Sequence, residues 1–64
     1  MRVIPTDVYN EDGHLTKIEV QGEDGNHVID IVWDDTDEQT SENRVLFRKF
    51  AYRMLEQKGY EVDK

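Results

Sequence analysis

The stretch EDGHLTKIEVQGEDGN, residues 11–26, holds the same tripeptide twice, Glu11-Asp12-Gly13 and Glu23-Asp24-Gly25, and an alternating apolar run follows each copy. Asp-Gly between branched and aromatic residues is a turn signal, because Gly supplies the positive φ that tight hairpins demand. Three β-type runs flank the two turns. Arg2 to Asn10 contains Val3, Ile4, Val8 and Tyr9; His14 to Gln21 contains Leu15, Ile18 and Val20; His27 to Asp34 contains Val28, Ile29, Ile31, Val32 and Trp33. They read as a β-meander with the second strand central. Pro5 lacks an N–H and so places the first strand at an edge.

Apolar alternation selects the registers. If Glu11-Asp12-Gly13 is a three-residue loop with Gly13 left-handed in a G1 bulge, Asn10 opposes His14, and Ile4, Thr6 and Val8 oppose Val20, Ile18 and Thr16. This gathers Ile4, Val8, Ile18 and Val20 on one face, whereas a two-residue turn sets Asp7 beside Ile18. At the second bend a two-residue Asp24-Gly25 type I′ turn places Ile29, Ile31 and Trp33 opposite Val20, Ile18 and Thr16. The same three letters are therefore expected to make two different turns.

The second half reads as helix. Phe47, Phe50, Ala51, Met54 and Leu55, with Leu46 at the margin, fall on one side at 3.6 residues per turn. Thr36-Asp37-Glu38-Gln39 matches a capping box, with Ser41 as an alternative cap. Acids near the start, and Arg53 and Lys58 near the end, suit the helix dipole. Gly59 is a natural C′ residue, after which Tyr60-Glu61-Val62 folds back over the last turn or forms a short fourth strand. The expected architecture is α+β, one domain over residues 1–64. It comprises a three-stranded antiparallel β-meander (1–35), one C-terminal α-helix (36–58) packed across it in a βββα order, and a tail or short strand (59–64). The expected core is Ile4, Val8, Ile18, Val20, Ile29, Ile31, Trp33, Leu46, Phe47, Phe50, Met54 and Leu55.

A chain of 64 residues buries only about 60% of the surface its unfolded form exposes, so stability is marginal. Without cysteine, no disulfide or thiolate-zinc framework supports it, and a reducing cytoplasm is the expected compartment. No apolar run approaches the ~20 residues of a membrane span. Fifteen acids against eight bases give a net charge of −7, which argues against nucleic acid as a direct ligand. The charge is divided: residues 1–42 hold 2 bases and 12 acids, and residues 43–64 hold 6 bases and 3 acids. Such asymmetry implies attraction between the two halves or an electrostatically steered protein contact.

No catalytic, cofactor-binding or metal-binding residue emerges. His14 and His27 stand at opposite ends of one hairpin, roughly 20 Å apart at ~3.3 Å per strand residue, too far to share an ion. Asp34-Asp35-Thr36-Asp37-Glu38 lacks the Gly and Glu spacing of a calcium loop. Ser41, the only serine, sits at a cap position, and no glycine run forms a phosphate cradle. The expectation is a protein that is not an enzyme and takes no cofactor.

Two surfaces remain. The outer sheet face, in the registers above, carries Val3, Tyr9, Leu15, Val28 and Val32 among Asp7, Lys17, Glu19, Asp30 and Asp34. An apolar patch rimmed by acid often marks a protein contact, and Glu19 opposite Asp30 is a like-charge pair. The helix back carries Val45 and Tyr52 amid Arg48, Lys49, Arg53 and Glu56, a basic face suited to an acidic partner or RNA. The βββα order is similar in outline to the AP2-type and integrase arm-binding domains, whose resemblance implies DNA reading by the sheet; their sheet is basic and this one is acidic. Size and acidity also resemble those of small phage-encoded inhibitors of host proteins, some of which mimic DNA. The leading expectation is an acidic protein-binding module, an inhibitor, adaptor or regulator, acting through Tyr9, Leu15, Lys17, Glu19, Asp30, Val32 and Asp34. The alternatives are a DNA mimic that inhibits a nucleic-acid-binding enzyme, RNA binding through Val45, Arg48, Lys49 and Tyr52, and a homodimer closed by the exposed patch.

Overall fold

The computed structural model describes residues 1–36 and 38–62; Asp37 of the expected capping box and the last two residues of the expected tail lie outside them. The elements follow the order β1 (Arg2–Tyr9), β2 (Leu15–Gly22), β3 (His27–Val32), α1 (Ser41–Gln57) and β4 (Glu61–Val62). One sheet runs β3-β2-β1-β4, antiparallel except that the two residues of β4 lie parallel to Arg2 and Val3. The α+β fold and the short fourth strand follow the sequence reading. β1 is not an edge strand at its start, because Glu61 donates its N–H to the Met1 carbonyl at 2.9 Å and β4 covers that end. No helix among the described residues is long and apolar enough to cross a membrane.

The two Glu-Asp-Gly loops are built alike, which corrects the expectation of two turn types. Gly13 N–H bonds to the Asn10 carbonyl and Asn10 N–H to the His14 carbonyl; Gly25 N–H bonds to the Gly22 carbonyl and Gly22 N–H to the Asn26 carbonyl. Gly13 (φ +79°) and Gly25 (φ +83°) are left-handed, whereas Asp24 is not, so the second bend is a three-residue loop and not a type I′ turn. Side chains hold each loop closed. Asn10 Oδ1 accepts from the Asp12 and His14 amides, and Asp24 Oδ1 accepts from the Asn26 amide.

Each loop is followed by a bulge at the same offset, Thr16 in β2 and Val28 in β3. The bulge at Val28 restores the expected register between β2 and β3, with Ile18 opposite Ile31 and Val20 opposite Ile29. The bulge at Thr16, whose hydroxyl bonds to the Val8 carbonyl at 3.1 Å, shifts β1 by one residue and turns it over. Ile18 now opposes Asp7 and Val20 opposes Pro5. A one-residue shift exchanges the two faces of a strand, so Val3 is buried in the core while Ile4 is exposed and Val8 half-buried.

The helix begins later than residue 36. Asp34 Oδ1 accepts from both the amide and the hydroxyl of Thr36, which makes a bend there, and Thr40 is the true N-cap, its Oγ1 accepting from the Asn43 amide at 3.1 Å. Gln39 is drawn away from any capping role by a clamp on the bulged strand. Its Oε1 accepts from the Leu15 amide at 3.0 Å and its Nε2 donates to the Leu15 carbonyl at 2.8 Å. At the far end Gly59 (φ +92°) is the expected C′ residue. Tyr60 N–H reaches the Leu55 carbonyl and Gly59 N–H the Glu56 carbonyl, a Schellman ending that aims the chain into β4.

The core is Val3, Ile18, Val20, Ile31, Ala51 and Leu55, with Phe47, Met54 and Tyr52 among the half-buried residues packed on it; Leu15 and Trp33 are buried as well. Leu46 and Phe50, expected inside, are exposed. Because the space around Gly13 and Gly25 is open, only backbone strain opposes a side chain there. Gly13→Ala and Gly25→Ala should each cost about 1 kcal/mol, and the Asn variants less. Asp24→Gly should also destabilise; a gain in stability in urea melts would instead indicate a type I′ turn.

Candidate functional site

Turning β1 over puts a carboxylate on the helix side of the sheet, and the helix answers it. Arg48 binds Asp7 Oδ2 through Nε at 2.8 Å and through Nη2, and Nη2 also donates to the Tyr9 hydroxyl at 3.0 Å. The Asp7 carboxylate, as bond acceptor and opposite charge, raises the guanidinium above its ordinary pKa. One turn earlier, Arg44 donates to the Gln39 carbonyl at 3.1 Å and the Ser41 hydroxyl at 3.4 Å. With Arg48 held on β1, Ala51 and Leu55 point inward. The apolar stripe is thereby carried off centre, toward β3.

The rotated stripe opens a groove of about 450 Å³ lined by Val32, Asp34, Asn43, Leu46, Phe47 and Phe50. Val32 is 70% exposed, Phe50 61% and Leu46 55%. Phe47 stands edge-on to Trp33, ring centroids 4.9 Å apart at 67°, and fixes that wall. Among the described residues of the lining, Asp34 is the one titratable group. The Thr36 amide and hydroxyl bonds lower its pKa, so it stays ionised at neutral pH. Comparison of the chain with protein-family models, curated proteins and solved structures returns no match.

The outer sheet face differs from the expected patch. Val3 and Leu15 are buried, Val28 packs against the core, and Asp7 faces the helix. Of the expected contact residues, Lys17, Glu19, Asp30 and Val32 remain together on that face; Tyr9 lies with Asp7 on the helix side, its hydroxyl on Arg48, and Asp34 lines the groove. The expected like-charge pair of Glu19 and Asp30 is present and is relieved locally. Lys17 Nζ lies 3.3 Å from Asp30 Oδ2, and His27 Nε2 lies 3.0 Å from Asp30 Oδ1. Charges of both signs thus occupy the middle of this face. The helix back is also dispersed: Arg48 is committed to Asp7 and Tyr52 packs against the core, which leaves Val45 and Lys49 exposed.

Nothing in local sequence flags Gln39 or Arg48 as tertiary partners. The available signal was indirect: Asp7 beside Ile18 is tolerable only if a cation reaches it. Arg48→Leu should therefore destabilise by about 1–2 kcal/mol, the value of a half-exposed charged bond, and adding Asp7→Leu should recover part of that loss in a double-mutant cycle. The bond with His27, then that with Lys17, lowers the Asp30 pKa. A lowered carboxylate contributes stability that is complete above its unfolded value, about 3.9, and is lost as pH falls through the lower folded value. Asp30→Asn should then flatten the acid limb of the stability profile below about pH 4 and leave neutral pH little changed.

Proposed function

We propose that the chain is a small, non-enzymatic protein-binding module, an inhibitor, adaptor or regulator working in the cytoplasm, and that its contact surface is the groove between α1 and β3. The observation that carries this reading is the exposure of Leu46 and Phe50 beside Val32. A chain with so little core leaves two of its largest apolar side chains outside it, and contiguous apolar surface rimmed by polar groups is the common mark of a protein contact. Among the described lining residues Asp34 alone titrates, and an acid–base reaction commonly uses a second such group. The outer sheet face serves as a charged flank that steers a partner more than it holds one.

The test is capture of partners from native cytosol by three baits: the unaltered chain, Leu46→Ser/Phe50→Ser, and Glu19→Lys/Asp30→Lys. The groove variant should lose its captured protein by about tenfold or more, since a buried aromatic anchor is worth at least ~1.4 kcal/mol. The charge variant should slow association while dissociation stays near its original rate. Full capture by the groove variant, with an unchanged melting profile, would remove the groove as the contact. Release of the captured protein by duplex DNA would show that the acidic surface stands in for phosphate.

A further inference from the structure

β3 is the terminal strand of the sheet, and among the described residues no strand lies beyond it. Trp33 N–H bonds to the Thr16 carbonyl at 2.9 Å, which fixes the phase of the ladder. Ile29, Ile31 and Trp33 turn their backbone groups toward β2, and Asp30 and Val32 turn theirs to the open edge. The side chains of Asp30 and Val32 point to the outer face, and those of Ile29 and Ile31 toward the helix. The groove runs beside this edge on the helix side, between Val32 and the exposed Leu46 and Phe50.

A strand laid along β3 would present alternate side chains to two different environments. One set enters the groove against Leu46 and Phe50. The other lies on the outer face beside Asp30, with Asp34 in the groove lining just past the end of the strand. We infer that the groove takes an extended segment of another protein, with alternating apolar and basic residues, added to the sheet as a further strand beside β3. This rests on the groove being a protein contact. Charge selects this occupant over a second copy. Side-by-side residues in a two-fold antiparallel pair share a face, so centring two β3 strands on Asp30 sets that residue against itself. Centring them on Val32 sets Asp30 against Asp34 of the other copy, and centring them on Ile31 leaves the two Asp30 carboxylates as diagonal neighbours. Like charges directly opposite are unfavourable, and each copy carries −7. Asp34, whose charge its bonds to Thr36 do not offset, attracts lysine or arginine, while Asp30 already holds Lys17 and His27.

The probe is a short synthetic peptide of alternating valine and lysine, added to the whole chain. Amide exchange and chemical shifts are followed by NMR, beside a block-order peptide of the same composition and an alternating valine–glutamate peptide. The alternating basic peptide should slow exchange at the Asp30 and Val32 amides by about tenfold or more as they become bonded. Asp34→Asn, which keeps the oxygen that holds Thr36, should weaken binding by several-fold, and Phe50→Ser by about tenfold. Equal binding of the block-order or acidic peptide would overturn the inference. So would protection of β3 that grows with protein concentration when no peptide is present, the sign of a second copy. If β3 stays unprotected while Leu46→Ser/Phe50→Ser still loses its captured protein, strand addition fails and the groove contact stands. If capture also survives, both fail.

Discussion

The bond between Arg48 and Asp7 is the constraint from which the rest of the arrangement follows. A half-buried carboxylate on the covered side of a sheet is unfavourable unless a cation reaches it, and in this chain the cation comes from the helix. Arg48 lies four residues before Tyr52 and three before Ala51, so binding Asp7 sets the rotation of the whole helix. Ala51 and Leu55 become the innermost residues, both facing the sheet on the Arg48 side of the apolar stripe. Phe50 and Leu46, on the other side, have no sheet beneath them. The groove is therefore a consequence of an ion pair on the opposite flank of the helix.

The origin of that pair lies one step further back, in the bulge at Thr16. An extra residue in β2 is what turns β1 over and moves Asp7 under the helix. Two devices make the bulge tolerable. The Thr16 hydroxyl bonds to the Val8 carbonyl, and Gln39, with both ends of its amide on Leu15, supplies the pairing that the interrupted ladder cannot. Gln39 also ties the linker to the sheet close to where the helix starts. Bulge, linker and helix rotation are thus coupled.

Much of the fold was legible before the structure. Branched runs separated by Asp-Gly gave the meander, the Phe47-to-Leu55 periodicity gave the helix, and Gly59 gave its end. The register of β2 with β3 followed from apolar alternation alone. Alternation failed at β1 for a physical reason: it assumes an uninterrupted ladder, and a single unpaired Thr reverses the parity of everything beyond it. The repeat held the clue. Residues 11–13 and 23–25 agree in sequence and in loop geometry, and each is followed by a bulge at the same offset. Two equal loops, rather than two loops chosen separately to suit apolar faces, is the reading consistent with identical local chemistry. The candidate site was less legible than the fold. Which half of an apolar stripe is covered depends on a bond between Asp7 and Arg48, and no local pattern encodes a contact that distant.

The charge division acquires a structural meaning once these bonds are placed. Arg48 of the basic half closes on Asp7 of the acidic half, so part of the attraction between the halves is spent inside the fold, while Arg44 is spent on the carbonyl and hydroxyl that precede and open the helix. Lys17 and His27 are drawn to Asp30. What is left is unequal. Just past the end of β3, Asp34 is held by Thr36, which fixes its position without offsetting its charge. An open edge guarded by acid discourages pairing with its own kind, which edge strands otherwise invite. It does so without closing the edge to a cationic strand. Apolar side chains beside that edge would be a liability in a chain meant to stay alone. Beside fixed negative charge, they become a surface whose partner is restricted in both hydrophobic pattern and sign.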